Sequence, residues 1–117
     1  MVSDFGKELR KIRIDSGEVL KDMADKLEVT SSYLSAIENG KRAVPEDYVQ
    51  KIASLYGLSQ ERQRDLRRAY DNSLKTVSLD LDGAKCARRE LALRFARSFE
   101  TMSDTKIEEL LGFIGKE

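Results

Sequence analysis

The sequence predicts a mainly α-helical protein: five short helices, then one β-strand, then two more helices. Three observations carry that expectation. Apolar residues recur at helical spacing along most of the 117 residues. One proline, seven glycines and few aromatics suit a helical chain. Between residues 76 and 81 the pattern changes to strict polar–apolar alternation, the period of a strand.

The first helix is expected at about Asp4–Ser16, with Phe5, Leu9, Ile12 and Ser16 on one stripe and Gly17 closing it. Helix two covers about Leu20–Leu27, where Met23, Ala24 and Leu27 keep helical spacing. Only Glu28-Val29-Thr30 separates it from helix three, about Ser31–Asn39, so the connection is a tight turn with Thr30 as cap. Pro45 suits the first turn of helix four, where its missing N–H costs nothing. Val49, Ile52, Ala53 and Tyr56 form that helix's buried stripe, and Gly57 ends it. Ser59 caps helix five, about Gln60–Asn72, with Leu66, Ala69 and Tyr70 turned inward.

Thr76-Val77-Ser78-Leu79-Asp80-Leu81 then reads as the strand, with Asp82-Gly83 as its turn. Ala87, Leu91, Phe95, Phe99 and Met102 form a long helical stripe. Ile107, Leu110, Leu111 and Ile114 repeat the spacing in a last helix after Ser103; Thr105 with Glu108 is a second candidate start. The domain boundary is expected near residue 73. Residues 1–73 form one domain and 74–117 a strand-plus-helices region.

Composition excludes several functions. The chain has no histidine and one cysteine, Cys86, so the common zinc and iron sites and histidine-based triads are absent. No phosphate-binding glycine loop occurs. Non-catalytic behaviour, with no metal and no cofactor, is the expectation. No apolar run approaches the roughly 20 residues of a membrane span, and no secretion signal opens the chain, so a cytoplasmic location is expected. Net charge is zero, with nine Lys/Arg against ten Asp/Glu in residues 1–58. Any attraction to nucleic acid must come from local placement of charge. Arg62, Arg64, Arg67 and Arg68 lie among Glu61 and Asp65, and read as a solvated mixed face.

Helix three is unusual. Leu34 and Ile37 look inward, while Thr30, Ser31, Ser32, Tyr33, Ser35 and Ala36 leave a small, nearly uncharged face. Asn39-Gly40 stops the helix, and Lys41 and Arg42 follow at once. Slim polar groups suit base edges, and adjacent cations suit the flanking phosphates. Thr30, Ser31, Ser32, Tyr33, Ser35, Ala36, Asn39, Lys41 and Arg42 are therefore the candidate DNA-contacting residues.

With Leu9-Arg10, Arg13, Gly17, Met23-Ala24, Leu27, Val29-Thr30, Tyr33-Leu34, Ile37-Glu38-Asn39-Gly40-Lys41-Arg42, Pro45 and Ile52-Ala53 in register, residues 5–58 resemble the Cro-type, lambda-repressor-like helix-turn-helix domains of the xenobiotic-response-element family. The resemblance implies a five-helix domain that binds duplex DNA as a transcriptional regulator, here a repressor, and dimerises. It implies a structural ion pair between Arg13 and Glu38. Two departures stand out. Val19 and Leu20 replace the polar pair that usually starts helix two, and Glu28 replaces the usual turn glycine.

The leading expectation is a homodimer on a pseudo-palindromic operator. Its interface would comprise Val77, Leu79 and Leu81 of the strand, paired with its copy, covered by Leu91, Phe95, Phe99, Ile107, Leu110, Leu111 and Ile114. The alternative is an antitoxin-like module whose C-terminal half grips a toxin or other regulatory protein, with DNA binding as autoregulation.

Overall fold

A computed structural model describes residues 1–115. Among the described residues seven α-helices follow one another: α1 (Asp4–Ser16), α2 (Leu20–Leu27), α3 (Ser31–Glu38), α4 (Tyr48–Tyr56), α5 (Gln60–Ser73), α6 (Cys86–Ser98) and α7 (Asp104–Ile114). A 3-10 turn at Phe99–Thr101 follows α6. The chain divides between Thr76 and Val77 into two compact units.

Hydroxyl caps start four of these helices. Ser3, Thr30, Ser59 and Ser103 each accept from the backbone N–H three residues on, at 3.0–3.2 Å. Ser103 is thus the start signal for α7, ahead of Thr105. Val19 has no side chain able to cap α2, but the Asp22 carboxylate accepts from the Val19 N–H at 2.9 Å. Pro45 lies in a turn before α4, closed by Tyr48 N–H donating to its carbonyl at 3.1 Å.

The first unit holds the core. Phe5, Leu9 and Ile12 of α1 meet Met23 and Leu27 of α2, Leu34 and Ile37 of α3, Ile52 of α4 and Leu66 of α5. All are buried, as the stripes require; Ser16 is exposed. Glu28 forms the turn between α2 and α3 in the left-handed conformation, at φ 60°, ψ 41°. It is the one non-glycine residue with positive φ among the described residues. A side chain there costs on the order of 1 kcal/mol. The dense packing of α2 on α3 holds it in place.

Residues 76–81 overturn the expected strand: no β-strand occurs among the described residues. A strand's backbone groups need a ladder partner, and none lies beside the segment among the described residues. Local bonds take over instead. Asp80 Oδ1 accepts from Asp82 N–H at 2.9 Å, Ala84 N–H donates to the Leu81 carbonyl at 3.0 Å, and Arg89 donates to the same carbonyl at 2.8 Å. Within the single chain Val77 and Leu79 are exposed and Leu81 is half-buried. The alternation marks side-chain pattern without the pairing that would make it a strand.

The second unit has helices but no core. None of its described residues is buried. Leu91, Phe95, Phe99, Leu111, Phe113 and Ile114 are exposed, and Ile107 and Leu110 are half-buried. The long stripe from Ala87 is cut at Ser98, where the chain tightens into the 3-10 turn.

Candidate nucleic-acid interface

The candidate face is built from the turn outward. Glu28 and Thr30 set the angle at which α3 leaves α2, and Leu34 and Ile37 anchor α3 in the core. The opposite side is then left open. Ser31, Ser32, Ser35, Ala36, Asn39 and Lys41 line one shallow depression there, together with Leu20. Leu20 also packs against the core. Its apolar side chain occupies the edge of the face where the resemblance leads one to expect a polar residue.

Several of the nine sequence candidates have partners within the chain. Thr30 Oγ1 caps α3, accepting from Tyr33 N–H at 3.0 Å. Asn39 Nδ2 donates to the Ser35 carbonyl at 2.9 Å, which closes the last turn. Tyr33 is half-buried against the core, and the Arg42 guanidinium stands over its ring at 5.0 Å, within cation–π range. Tyr33 therefore positions Arg42. Lys41 and Arg42 N–H groups both donate to the Ala36 carbonyl, at 2.9 and 3.2 Å. The loop backbone is held, and the two cations are exposed.

Glu38 ties the end of α3 to α1 through both its backbone and its side chain. Its carbonyl accepts from Ser3 N–H at 2.8 Å and from Ser3 Oγ at 3.0 Å. Its carboxylate, buried at 2% exposure, takes a bidentate pair from Arg13, with Nη2 to Oε1 at 3.1 Å and Nη1 to Oε2 as the closer contact. Arg10 Nε adds a longer contact at 3.6 Å. Removing either partner of a buried pair costs about 3–5 kcal/mol, because the other charge is stranded.

Two features of this scaffold were not read from the sequence. Gly6 faces the α3 end so closely that a Cβ would lie 2.2 Å from the Glu38 carbonyl oxygen. A lone glycine inside an otherwise regular helical pattern is the available signal. The other is a cluster that holds α2. Tyr56 of α4 donates to Glu18 Oε1 at 2.6 Å, Lys26 of α2 pairs with the same carboxylate, and Lys26 Nζ lies 4.6 Å from the Tyr56 ring centroid. The bonds from Lys26 and then Tyr56 hold the Glu18 carboxyl below its usual range. Burial, then the bond to Glu18, pushes the Tyr56 phenol well above its usual value. These partners are far apart in sequence, and no local pattern marks them.

Among the described residues no group of three His, Cys, Asp or Glu is placed to hold a metal ion. No described helix is long and apolar enough to cross a membrane.

Residues 4–66 match the family model of the helix-turn-helix domain. No curated protein and no solved structure matches the chain. The match spans more than half of the chain and covers α1 to α4 and the first half of α5. The chain belongs to the helix-turn-helix domain family, a DNA-binding family of transcription regulators.

Proposed function

We propose that the chain is a Cro-type, lambda-repressor-like regulator that binds a pseudo-palindromic operator as a cytoplasmic homodimer and represses transcription. The observation that carries this reading is the open face of α3. Serine hydroxyls, the Ala36 methyl and Lys41 share it, and the core holds its opposite side. With α3 in the major groove, serine serves as donor or acceptor to most bases, and Ala36 meets a thymine methyl. Lys41 and Arg42 hold the flanking phosphates. The protein does no chemistry on the DNA.

The dimer is supported by the second unit. Two short helices with no buried residue are marginal in water, so their apolar faces need cover. A second copy supplies complementary charge: α6 carries four arginines against one glutamate, and α7 three acids against one lysine. Crossing α6 of one protomer with α7 of its partner gives a self-complementary two-fold contact. Half-sites then lie about one helical turn apart, roughly 34–36 Å.

Selection from a random duplex library, with light scattering for mass, tests the reading. The expected result is a two-fold-symmetric consensus bound by a dimer. A Ser32→Ala change should shift base preference at one position of each half-site. No preference for any selected site over random duplex at low salt would overturn the DNA reading, and a monomer mass at micromolar concentration would overturn the dimer.

A further inference from the structure

The geometry points to Lys75 as a third phosphate contact of the DNA-binding unit, acting with Lys41 and Arg42. This inference rests on the proposed seating of duplex DNA on α3.

α1 packs along α5, and Ser3 ties the start of α1 to the end of α3. The chain that leaves α5 therefore passes the loop that follows α3. A cavity of about 320 Å³ lies there, lined by Ser3, Lys41, Arg42, Ser73, Lys75 and Thr76. The rest of its lining is apolar or glycine, and no Asp or Glu contributes.

The charge at this cavity is unbalanced. Among the described residues, none of the three cations has a carboxylate within 4.0 Å. In a chain of zero net charge, that grouping is no product of a general basic excess. Like charges gathered without acids repel, and an anion seated among them relieves the repulsion. The hydroxyls of Ser3 and Ser73 already donate to the Glu38 and Tyr70 carbonyls, at 3.0 and 2.6 Å. Of the lining hydroxyls that leaves Thr76, so most of the attraction comes from the cations, which suits a phosphate and its full negative charge.

Position selects the source of that phosphate. Lys41 lines both this cavity and the depression on the α3 face. A duplex lying on α3 thus brings its backbone to the mouth of the cavity. Arg42, held over Tyr33, stands beside the same opening. Lys75 adds a contact from a segment some thirty residues farther along the chain, next to the start of the second unit.

The test uses the full chain and Lys75→Gln, with Lys41→Gln as reference. Affinity for a selected operator and for random duplex is measured between 50 and 200 mM KCl. One lost phosphate contact lowers the slope of log K against log salt by about 0.9. The wild-type advantage should then shrink about three- to fourfold across that range, by the same factor on both duplexes. Lys75 is exposed, so the variant should melt with the wild type. A second arm compares melting in inorganic phosphate and in chloride at equal ionic strength. An unchanged slope in Lys75→Gln, where Lys41→Gln lowers it, overturns the inference and leaves the DNA reading intact. If phosphate stabilises the wild type alone while the slope is unchanged, the cavity takes a free anion, and the DNA contact is again wrong. A wild type that binds no duplex at 50 mM KCl overturns both readings together.

Discussion

Replacing Gly6 by alanine tests whether close backbone contact between α1 and α3 holds α3 in place. The new Cβ would stand 2.2 Å from the Glu38 carbonyl oxygen and 2.9 Å from its carbonyl carbon and Cα. A carbon–oxygen contact normally settles at about 3.3 Å, so the two backbones must part by roughly 1 Å. That shift stretches both Ser3 hydrogen bonds to Glu38, now 2.8 and 3.0 Å, out of range. Each lost bond costs about 1 kcal/mol, and forcing a methyl into packed space costs about 1–3 kcal/mol. Alanine returns about 1 kcal/mol through helix propensity. The expected net loss is about 2–4 kcal/mol, or a drop of roughly 10–25 °C in Tm for a unit of this size. All four tyrosines lie in residues 33–70, so near-UV circular dichroism of the full chain follows this unit specifically. Lys7→Ala, an exposed change on the same helix, should stay within about 0.5 kcal/mol of wild type. A Gly6→Ala protein that melts within about 2 °C of wild type would refute the close-contact argument.

Two further changes probe the turn and the α2 anchor. Glu28→Gly should raise stability by up to about 1 kcal/mol, since glycine adopts φ 60° without strain and the exposed Glu28 side chain has no ion-pair partner among the described residues; an unchanged or lower Tm contradicts this. Glu18 has a lowered pKa in the folded chain, so its contribution is complete above its usual value of 4.5 and fades as pH falls below it. Tyr56 is shifted upward, so its contribution is complete below pH 10 and fades above it. In melts across pH, the gap between wild type and Glu18→Gln should narrow below pH 4.5, and Tyr56→Phe should lose less stability than wild type above pH 10. Parallel pH curves for wild type and variants would show that the cluster does not anchor α2.

The limits of sequence reading show at particular residues. Phe5, Leu9, Met23, Leu34, Ile52 and Leu66 announce their burial because a helix repeats every 3.6 residues, and a stripe at that spacing has one use. The caps Ser3, Thr30, Ser59 and Ser103 do their work within three residues; the sequence reading marked the last three and missed Ser3. The failure at Val77, Leu79 and Leu81 has the opposite cause. Alternation describes one edge of a strand, and the other edge must come from a partner that no short window contains. At Gly6 the sequence shows a lone glycine inside a helix, and only the end of α3 lying against it gives the reason.

By itself, then, the sequence determined the helices of the first unit, the face of α3 and the cations after it, because each depends on neighbours within a turn or two. Only the tertiary structure decided which neighbours the α3 candidates meet. Tyr33 turns out to carry Arg42, and Asn39 to bond the Ser35 carbonyl while it still lines the α3 face. It also brought Lys75 beside Lys41, and Glu18 between Lys26 and Tyr56. The physical reason is range: hydrogen-bonded turns are local, whereas burial, ion pairing and close backbone approach join residues that only the folded chain makes neighbours.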